Sequence, residues 1–520
     1  MYKKVGIASL IMMSSVFLSR IIGLCREMVI AFVGGVSGGV DAYQIAFALP
    51  EILNHFVAGG FLSVTFIPIF AKYITHEDEA AGWHVFSTVL TGIGIVALFL
   101  IVLGEIYTEP LVGILAPGVD DPAIRAQVVK MTRIILPAQF FFFAGGLFMA
   151  VQFAKERFFI PALAPLIYNI GIITGGLCLG RLYGMEGLSW GVLAGAFLGN
   201  FCLQYVGARR VGMQYRPAFG WAHPDFKHYI LLTLPLMVGL TPAFSIEIFF
   251  RFFGSFLPTG SVAGINYAKV IMFVLVGLFG QAVGTAIFPY LSRLMAEKNF
   301  SEVNRLLNHT LRYLSLAIPL VVLLIVLRRE IVVVLFQRGQ FDTAATTLTA
   351  QVLAYVLPGA VAMAAYTLII RGFYAMQDTV FPAIFGTLAV VLSLPIYFFG
   401  MHSWGARGIA LAMSVSLLFQ AILIYGLWNR RSHNTESLGV YRCFAKMTGI
   451  GLLMGFLLVV FKWVAALGID ATSMAGALTT AAVIGLLFIS ILLGVGFGFR
   501  VPEIVEPAEQ IWDRFKNRKT

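Results

Sequence analysis

Long apolar runs separated by short polar turns recur along almost the whole chain. Runs of about 20 residues or more can cross a bilayer as helices. They lie at roughly 5–33, 42–70, 83–108, 127–152, 158–181 and 187–207, and then at roughly 228–255, 262–291, 304–327, 348–374, 381–401 and 407–429. Two more, near 443–467 and 474–499, bring the predicted transmembrane helices to fourteen.

The second six runs repeat the first at an offset of 221 residues. Pro68, Pro137 and Pro161 recur as Pro289, Pro358 and Pro382, and Gly118, Gly184 and Gly187 as Gly339, Gly405 and Gly408. Arg209-Arg210 recurs as Arg430-Arg431, and Phe153-Ala154 followed by Pro161-Ala162 as Tyr374-Ala375 followed by Pro382-Ala383. Chance would align about 0.2 prolines between Gly59 and Arg210, against three found, so an internal repeat is the better reading. The expected fold is an all-α integral membrane protein: two parallel six-helix lobes at 1–215 and 216–435, two extra helices within 436–500, and a cytoplasmic tail at 501–520. Transporters built on such repeats place their substrate between the two halves.

Composition agrees. Hydrophobic residues make up 59% and charged residues 12%, with mean hydropathy +0.89, where a soluble domain carries roughly 25% charge. The net charge of +11 is concentrated in turns. Lys3-Lys4, Lys72, Lys155 with Arg157, Arg209-Arg210-Arg216, Arg293-Lys298-Arg305, Arg430-Arg431-Arg442-Lys446 and Arg514 to Lys519 all fall on one side of the predicted topology, with Arg328, Arg329 and Arg338 dissenting. That side is cytoplasmic by the positive-inside rule, and both termini belong there. The basic balance therefore reflects topology and anionic head groups rather than nucleic acid. The N-terminal run contains Arg20, Arg26 and Glu27 and no small-residue cleavage site, so it reads as a retained first span. Cys25, Cys178, Cys202 and Cys443 show no paired spacing, which favours neither disulfides nor a metal site. Asp120-Asp121, beside Pro117, Gly118 and Pro122, reads as turn chemistry.

Charges inside the predicted spans are the informative residues, because each costs about 2.5–3.5 kcal/mol on insertion scales unless it has a partner or faces water. Arg20 and Arg26 lie in the first span, Asp41 opens the second, and Glu51 and His55 sit one turn apart within it. Glu247 and Arg251 share the seventh span with the same spacing, and Lys269 lies in the eighth. Read together, Arg20, Arg26, Asp41, Glu51, His55, Arg251 and Lys269 line a central cleft with a cationic excess suited to phosphate or pyrophosphate. Glu51 with His55, and Glu247 with Arg251, read equally as intrahelical neutralising pairs. Glu247 and Asp378 are the candidates for binding a coupling monovalent ion. No phosphate-binding loop or ATPase domain is visible, so an ion gradient or the membrane potential supplies the energy, and no cofactor is expected. Pro50, Gly59-Gly60, Pro235, Pro242, Gly277, Gly280 and Gly284 mark breaks or hinges in spans two, seven and eight, whereas Gly191 and Gly195 read as close helix packing.

The ordered motifs resemble the MurJ/MviN lipid II flippase family of the multidrug/oligosaccharidyl-lipid/polysaccharide exporter superfamily. They are Ser19-Arg20-Ile21-Ile22-Gly23, Arg26-Glu27, Asp41-Ala42, Leu49-Pro50, Leu163-Ala164-Pro165 with Asn169, Leu278-Phe279-Gly280, Arg338-Gly339 and Asp378-Thr379. The resemblance implies fourteen spans and outward movement, by alternating access, of undecaprenyl-pyrophosphate-linked peptidoglycan precursor across the bacterial inner membrane. It implies that Arg20 and Arg26 face the cavity and that the last two helices form a groove for the lipid tail. It also implies lipid II and membrane lipids as partners, with other cell-wall synthesis proteins as candidates, and a transporter rather than an enzyme. The chain departs from the family at Asn54-His55, where an arginine pair is usual, at Lys269-Val270, where Asp-Arg is usual, and at Leu275, where a proline is usual. Those departures leave open a flippase for another polyprenyl-pyrophosphate glycan, such as an O-antigen or capsule unit. A drug or ion antiporter of the same superfamily is the other alternative.

Overall fold

The computed structural model describes residues 2–58, 61–238, 242–465, 473–498 and 501–506, and within these not the side chains of 2–10, 13, 57–58, 61–64 and 234–238. Gly59-Gly60 therefore lies outside the described residues, as does the side chain of Pro235. All regular structure among the described residues is helical, as an apolar solvent demands: only a helix satisfies its own backbone within one segment.

The helices are α1 (Tyr2–Gly34), α2 (Gly38–Ala46), α3 (Ala48–Leu53) and α4 (Phe61–Thr75), followed by α5 (Glu79–Ile106), α6 (Pro122–Ala154), α7 (Phe159–Tyr183) and α8 (Glu186–Arg210). After them come α9 (Pro224–Val238), α10 (Pro242–Gly254), α11 (Ser261–Ala296), α12 (Phe300–Val326), α13 (Thr343–Val356), α14 (Pro358–Ala375), α15 (Val380–Arg431), α16 (Ser437–Ala465) and α17 (Met474–Gly498). Among the described residues nine helices are individually long and apolar enough to cross a membrane, or ten counting α13 with α14, which bend by 42° at their junction. At 52 residues α15 would extend about 78 Å, far beyond one crossing. Gly405, at φ 57°, divides it.

The repeat is written into the backbone. Eight of the eleven residues with positive φ among the described residues fall in pairs 221 apart: Glu77 (57°) with Lys298 (55°), Glu156 (56°) with Gln377 (59°), Gly184 (56°) with Gly405 (57°), and Gly212 (92°) with His433 (53°). The five non-glycine residues with positive φ among the described residues all belong to these pairs. Glu77 ends α4 in a Schellman turn, with Asp78 N–H donating to Tyr73 O at 3.1 Å; Asn299 N–H donates to Leu294 O at 3.0 Å in the matching turn. Asp78 then caps α5 through Ala81 N, and Asn299 caps α12 through Glu302 N. Asp121 and Asp342, another 221 pair, cap α6 and α13, so the turn chemistry read for Asp120-Asp121 is what forms.

The chain folds as two compact units, Met1–Ala263 with Arg338–Phe341, and Gly264–Gln337 with Asp342–Thr520. The first unit is centred on Phe66, Phe70, Trp83, Phe86, Phe148 and Tyr229 from α4, α5, α6 and α9. Helices α7 and α8 cross at glycines. A Cβ on Gly191 would lie 2.6 Å from Gly171 O, and one on Gly195 would lie 2.7 Å from Tyr168 O. This is the close packing read from Gly191 and Gly195. In the second unit Trp428 Nε1 donates to Asn304 Oδ1 at 3.0 Å and Tyr425 OH to Asn308 Oδ1 at 2.8 Å, a polar seam that ties α15 to α12. Helices α16 and α17 pack on the end of α12 through Leu323, Val326, Met454, Leu458, Ile484 and Phe488.

Candidate functional site

Two groups of membrane-embedded charges form in the first unit. Arg26, on α1, donates from Nη2 to Glu27 Oε1 at 2.6 Å and from Nη1 to Asn169 Oδ1 at 3.0 Å. Asn169 belongs to α7, which contains Pro165, and its Nδ2 donates to Pro165 O at 2.8 Å. That bond fixes the amide so that its oxygen faces the guanidinium. Glu27 is 4% exposed in its side chain, whereas Arg26 keeps 27%. The arginine is thus held from two directions with part of its fork open. Arg20, six residues earlier and about 9 Å along the helix, lies on an exposed stretch of α1 beside Phe17 and Ile21.

The second group forms where α10 meets the broken second span. Arg251 is 3% exposed and makes a bidentate pair with Glu51, Nη1 to Oε2 at 2.6 Å and Nη2 to Oε1 at 2.9 Å. Glu247, one turn back, adds a second carboxylate at 3.2 Å. Of the two intrahelical pairs considered from spacing, Glu247 with Arg251 forms, and Glu51 makes its bidentate pair with Arg251. Helix α3 ends at Leu53 and the chain continues as a π-helical turn over Asn54–Ala58, which changes the angular offset between Glu51 and His55. His55 stacks on Phe244 of α10, with ring centroids 4.2 Å apart.

Arg20, Arg26 and Arg251 are matched in number by Glu27, Glu51 and Glu247. Two of these arginines are neutralised locally, Arg26 by Glu27 and Arg251 by Glu51 and Glu247. Arg251, enclosed by two carboxylates, is a structural cation in this arrangement. Arg26 and Arg20 hold the accessible guanidinium surface.

Asp41 performs a task that its spacing did not suggest. It is 7% exposed, and its carboxylate accepts the backbone N–H groups of Gly260 and of Ala263, the latter at 2.7 Å, capping the first turn of α11 from outside the helix. Lys269, in the second unit, is 4% exposed within α11. Asp378 pairs with Arg431 at 2.6 Å and accepts Phe381 N–H at 3.0 Å, so it caps the start of α15 and anchors its far end. Sequence reasoning missed the most buried charged pair outside the first unit. Lys462 of α16 reaches Glu330, 1% exposed, at 2.7 Å. A lone lysine in an apolar run was the available signal.

Comparison with known proteins places these features. The family model described as "Lipid II flippase MurJ" matches residues 30–488. The "Probable lipid II flippase MurJ" of Rhizobium meliloti (strain 1021) is 30% identical over 431 residues, covering 79% of each chain. That of Rhizobium tropici is 27% identical over 485 residues, covering 91% of this chain and 89% of its own. A solved structure described as "Lipid II flippase MurJ, inward closed conformation" superposes with a TM-score of 0.76 at 24% identity, covering 93% of this chain and 98% of the other, and so shares the fold.

Proposed function

The chain belongs to the lipid II flippase MurJ family, and from that premise we propose that it carries lipid II across the bacterial inner membrane by alternating access. The family match across residues 30–488 carries this reading. The chain's own contribution is a set of arginines inside an apolar, multi-pass protein, where charge is retained only for a purpose.

In the proposed mechanism the exposed Arg20 meets the pyrophosphate first. Arg26 follows by exchanging Glu27 for phosphate oxygens while Asn169 keeps its fork in plane. A phosphate group competes well for such a fork because its oxygens match the spacing of the guanidinium donors. Charge balance in the empty site then serves the cycle: the carboxylates hold the arginines ready and take them back when the head group leaves. The fourteen spans are arranged as two six-helix lobes plus a C-terminal pair that guides the polyprenyl tail. Both termini lie in the cytoplasm. Energy comes from the membrane potential, about 2.3 kcal/mol per charge per 100 mV, since Glu247 and Asp378 are each engaged by an arginine.

A second reading has a specific observation behind it. His55 stacks on Phe244 where the family usually presents an arginine, which suits a related polyprenyl-pyrophosphate glycan with a different head group. Both readings meet one experiment: depletion of the resident lipid II flippase in a bacterium expressing this chain, with lipid II at the outer leaflet measured. Rescue by the wild type and not by Arg20→Ala supports lipid II transport through the arginine site. Failure of a well-inserted wild type turns the assignment to another glycan.

A further inference from the structure

A second cavity lies in the first unit, apart from the arginine site. Its volume is about 630 Å³, within the range of small-molecule sites. The early turns of α6 form one wall, with Arg125, Lys130 and Arg133; Trp190 and Leu193 of α8 form another, and Glu109, from the short helix Thr108–Leu115, closes the polar end. Lys130 is already paired with Glu186 at 2.7 Å. Arg125 and Arg133, both exposed and about 12 Å apart along the helix, make no ion pair within 4.0 Å among the described residues, although Arg133 lies within electrostatic reach of the Glu105 carboxylate.

The lining is graded. Its charges lie at Glu109 and from Arg125 to Arg133, while Ile134, Pro137, Trp190 and Leu193 supply the apolar end. That gradient matches one molecule of a bilayer, head group at the charged end and acyl chain along the apolar end. A tryptophan at this boundary suits the membrane interface. Two guanidiniums suit a phosphate, and a single exposed carboxylate beside them suits an ammonium group.

We propose that this pocket binds a zwitterionic phospholipid with a primary ammonium, of the phosphatidylethanolamine class, with its phosphate on Arg125 and Arg133 and its ammonium on Glu109. In the orientation proposed above, the site lies at the outer-leaflet end of α6 and α8. The site is independent of the arginines on α1 and α10, so its occupancy is read without a transport assay.

The test is native mass spectrometry of the delipidated full chain titrated with phosphatidylethanolamine, phosphatidylcholine and phosphatidylglycerol of identical acyl composition. The expected order places phosphatidylethanolamine first, because trimethylation removes the donors that Glu109 accepts. Arg125→Ala/Arg133→Ala lowers its retention about tenfold, the effect of losing charged hydrogen bonds. Glu109→Gln, an exposed and conservative change that leaves folding intact, erases the preference over phosphatidylcholine. Equal retention of the three lipids by the wild type overturns the proposal. So does a preference that survives Glu109→Gln.

Discussion

Arg251 and Glu51 stand 200 residues apart in the chain and meet through two hydrogen bonds of 2.6 and 2.9 Å. The pair joins α10 to the broken second span, and Glu247 completes it. Removing the arginine leaves two carboxylates facing each other in an apolar setting, whereas removing one carboxylate leaves the other in place. Arg251→Ala is therefore expected to cost about 3–5 kcal/mol, and Glu51→Gln distinctly less. Thermal unfolding in detergent of both single variants and of the double variant Arg251→Ala/Glu51→Gln checks this. The double variant should recover part of the loss, and strict additivity would show that the pair is not coupled.

Arg20 and Arg26 separate by environment. Arg20 is exposed and is expected to be dispensable for stability but required for transport, so Arg20→Ala should insert normally and fail to deliver substrate. Asn169→Ala tests Arg26 indirectly. It leaves the guanidinium with Glu27 alone, and transport should fall while expression is retained. An unchanged transport rate would remove Asn169 from the site.

Asp41 is expected to act on stability rather than on substrate. Losing its two backbone acceptor bonds at the start of α11 should cost about 1–2 kcal/mol in Asp41→Ala, the range for a lost helix cap. If instead the melting temperature holds and substrate affinity drops, the cap is not its main task.

Gly184 and Gly191 distinguish strain from crowding. Gly184 has φ 56° and ψ −134° and a Cβ there would meet nothing within 4 Å, so Gly184→Ala isolates the strain of a backbone conformation open essentially to glycine, about 1–3 kcal/mol. Gly191 has ordinary helical geometry, but its Cβ would press on Gly171 O at 2.6 Å, so Gly191→Ala should force α7 and α8 apart. Crosslinking between cysteines placed on the two helices would report the separation in Gly191→Ala and not in Gly184→Ala.

Lys462 and Glu330 make a buried pair between α16 and the short helix Arg328–Phe336. Lys462→Ala should loosen α16 and speed hydrogen exchange of its backbone amides, and Glu330→Gln in the same chain should restore much of the protection. No rescue would indicate that packing rather than charge holds the helix.

The repeat and the membrane-embedded charges were legible in the sequence because periodicity and hydropathy are local properties. The pairing of those charges was not. Glu51 bonds Arg251, 200 residues away on α10, a partner that no spacing rule could supply. Asp41 misleads for a similar reason: its acceptor bonds go to Gly260 and Ala263, about 220 residues away, and no spacing rule links them. The division between compact units, after Ala263, likewise differs in kind from the repeat boundary expected near 215. Sequence symmetry records how the halves correspond, while packing records which helices they keep. Span seven, a member of the second repeat by sequence, is held in the first unit by Arg251 with Glu51.

The π turns at Asn54–Ala58 and Val276–Ala282 fall at nearly equivalent places in the two repeats. A π turn holds one residue more than the α-helical turn it replaces while advancing the chain little further. Each repeat thus carries a spare residue within a span. Deleting a single residue from either turn should convert it to regular α-helix, keep the span's length across the bilayer and the facing of the helix on either side, and reset the angular offsets only of the residues within the turn. One-residue length changes, usually tolerated only in loops, therefore have a place here inside the membrane, and such a change would redirect His55 without altering a single charge.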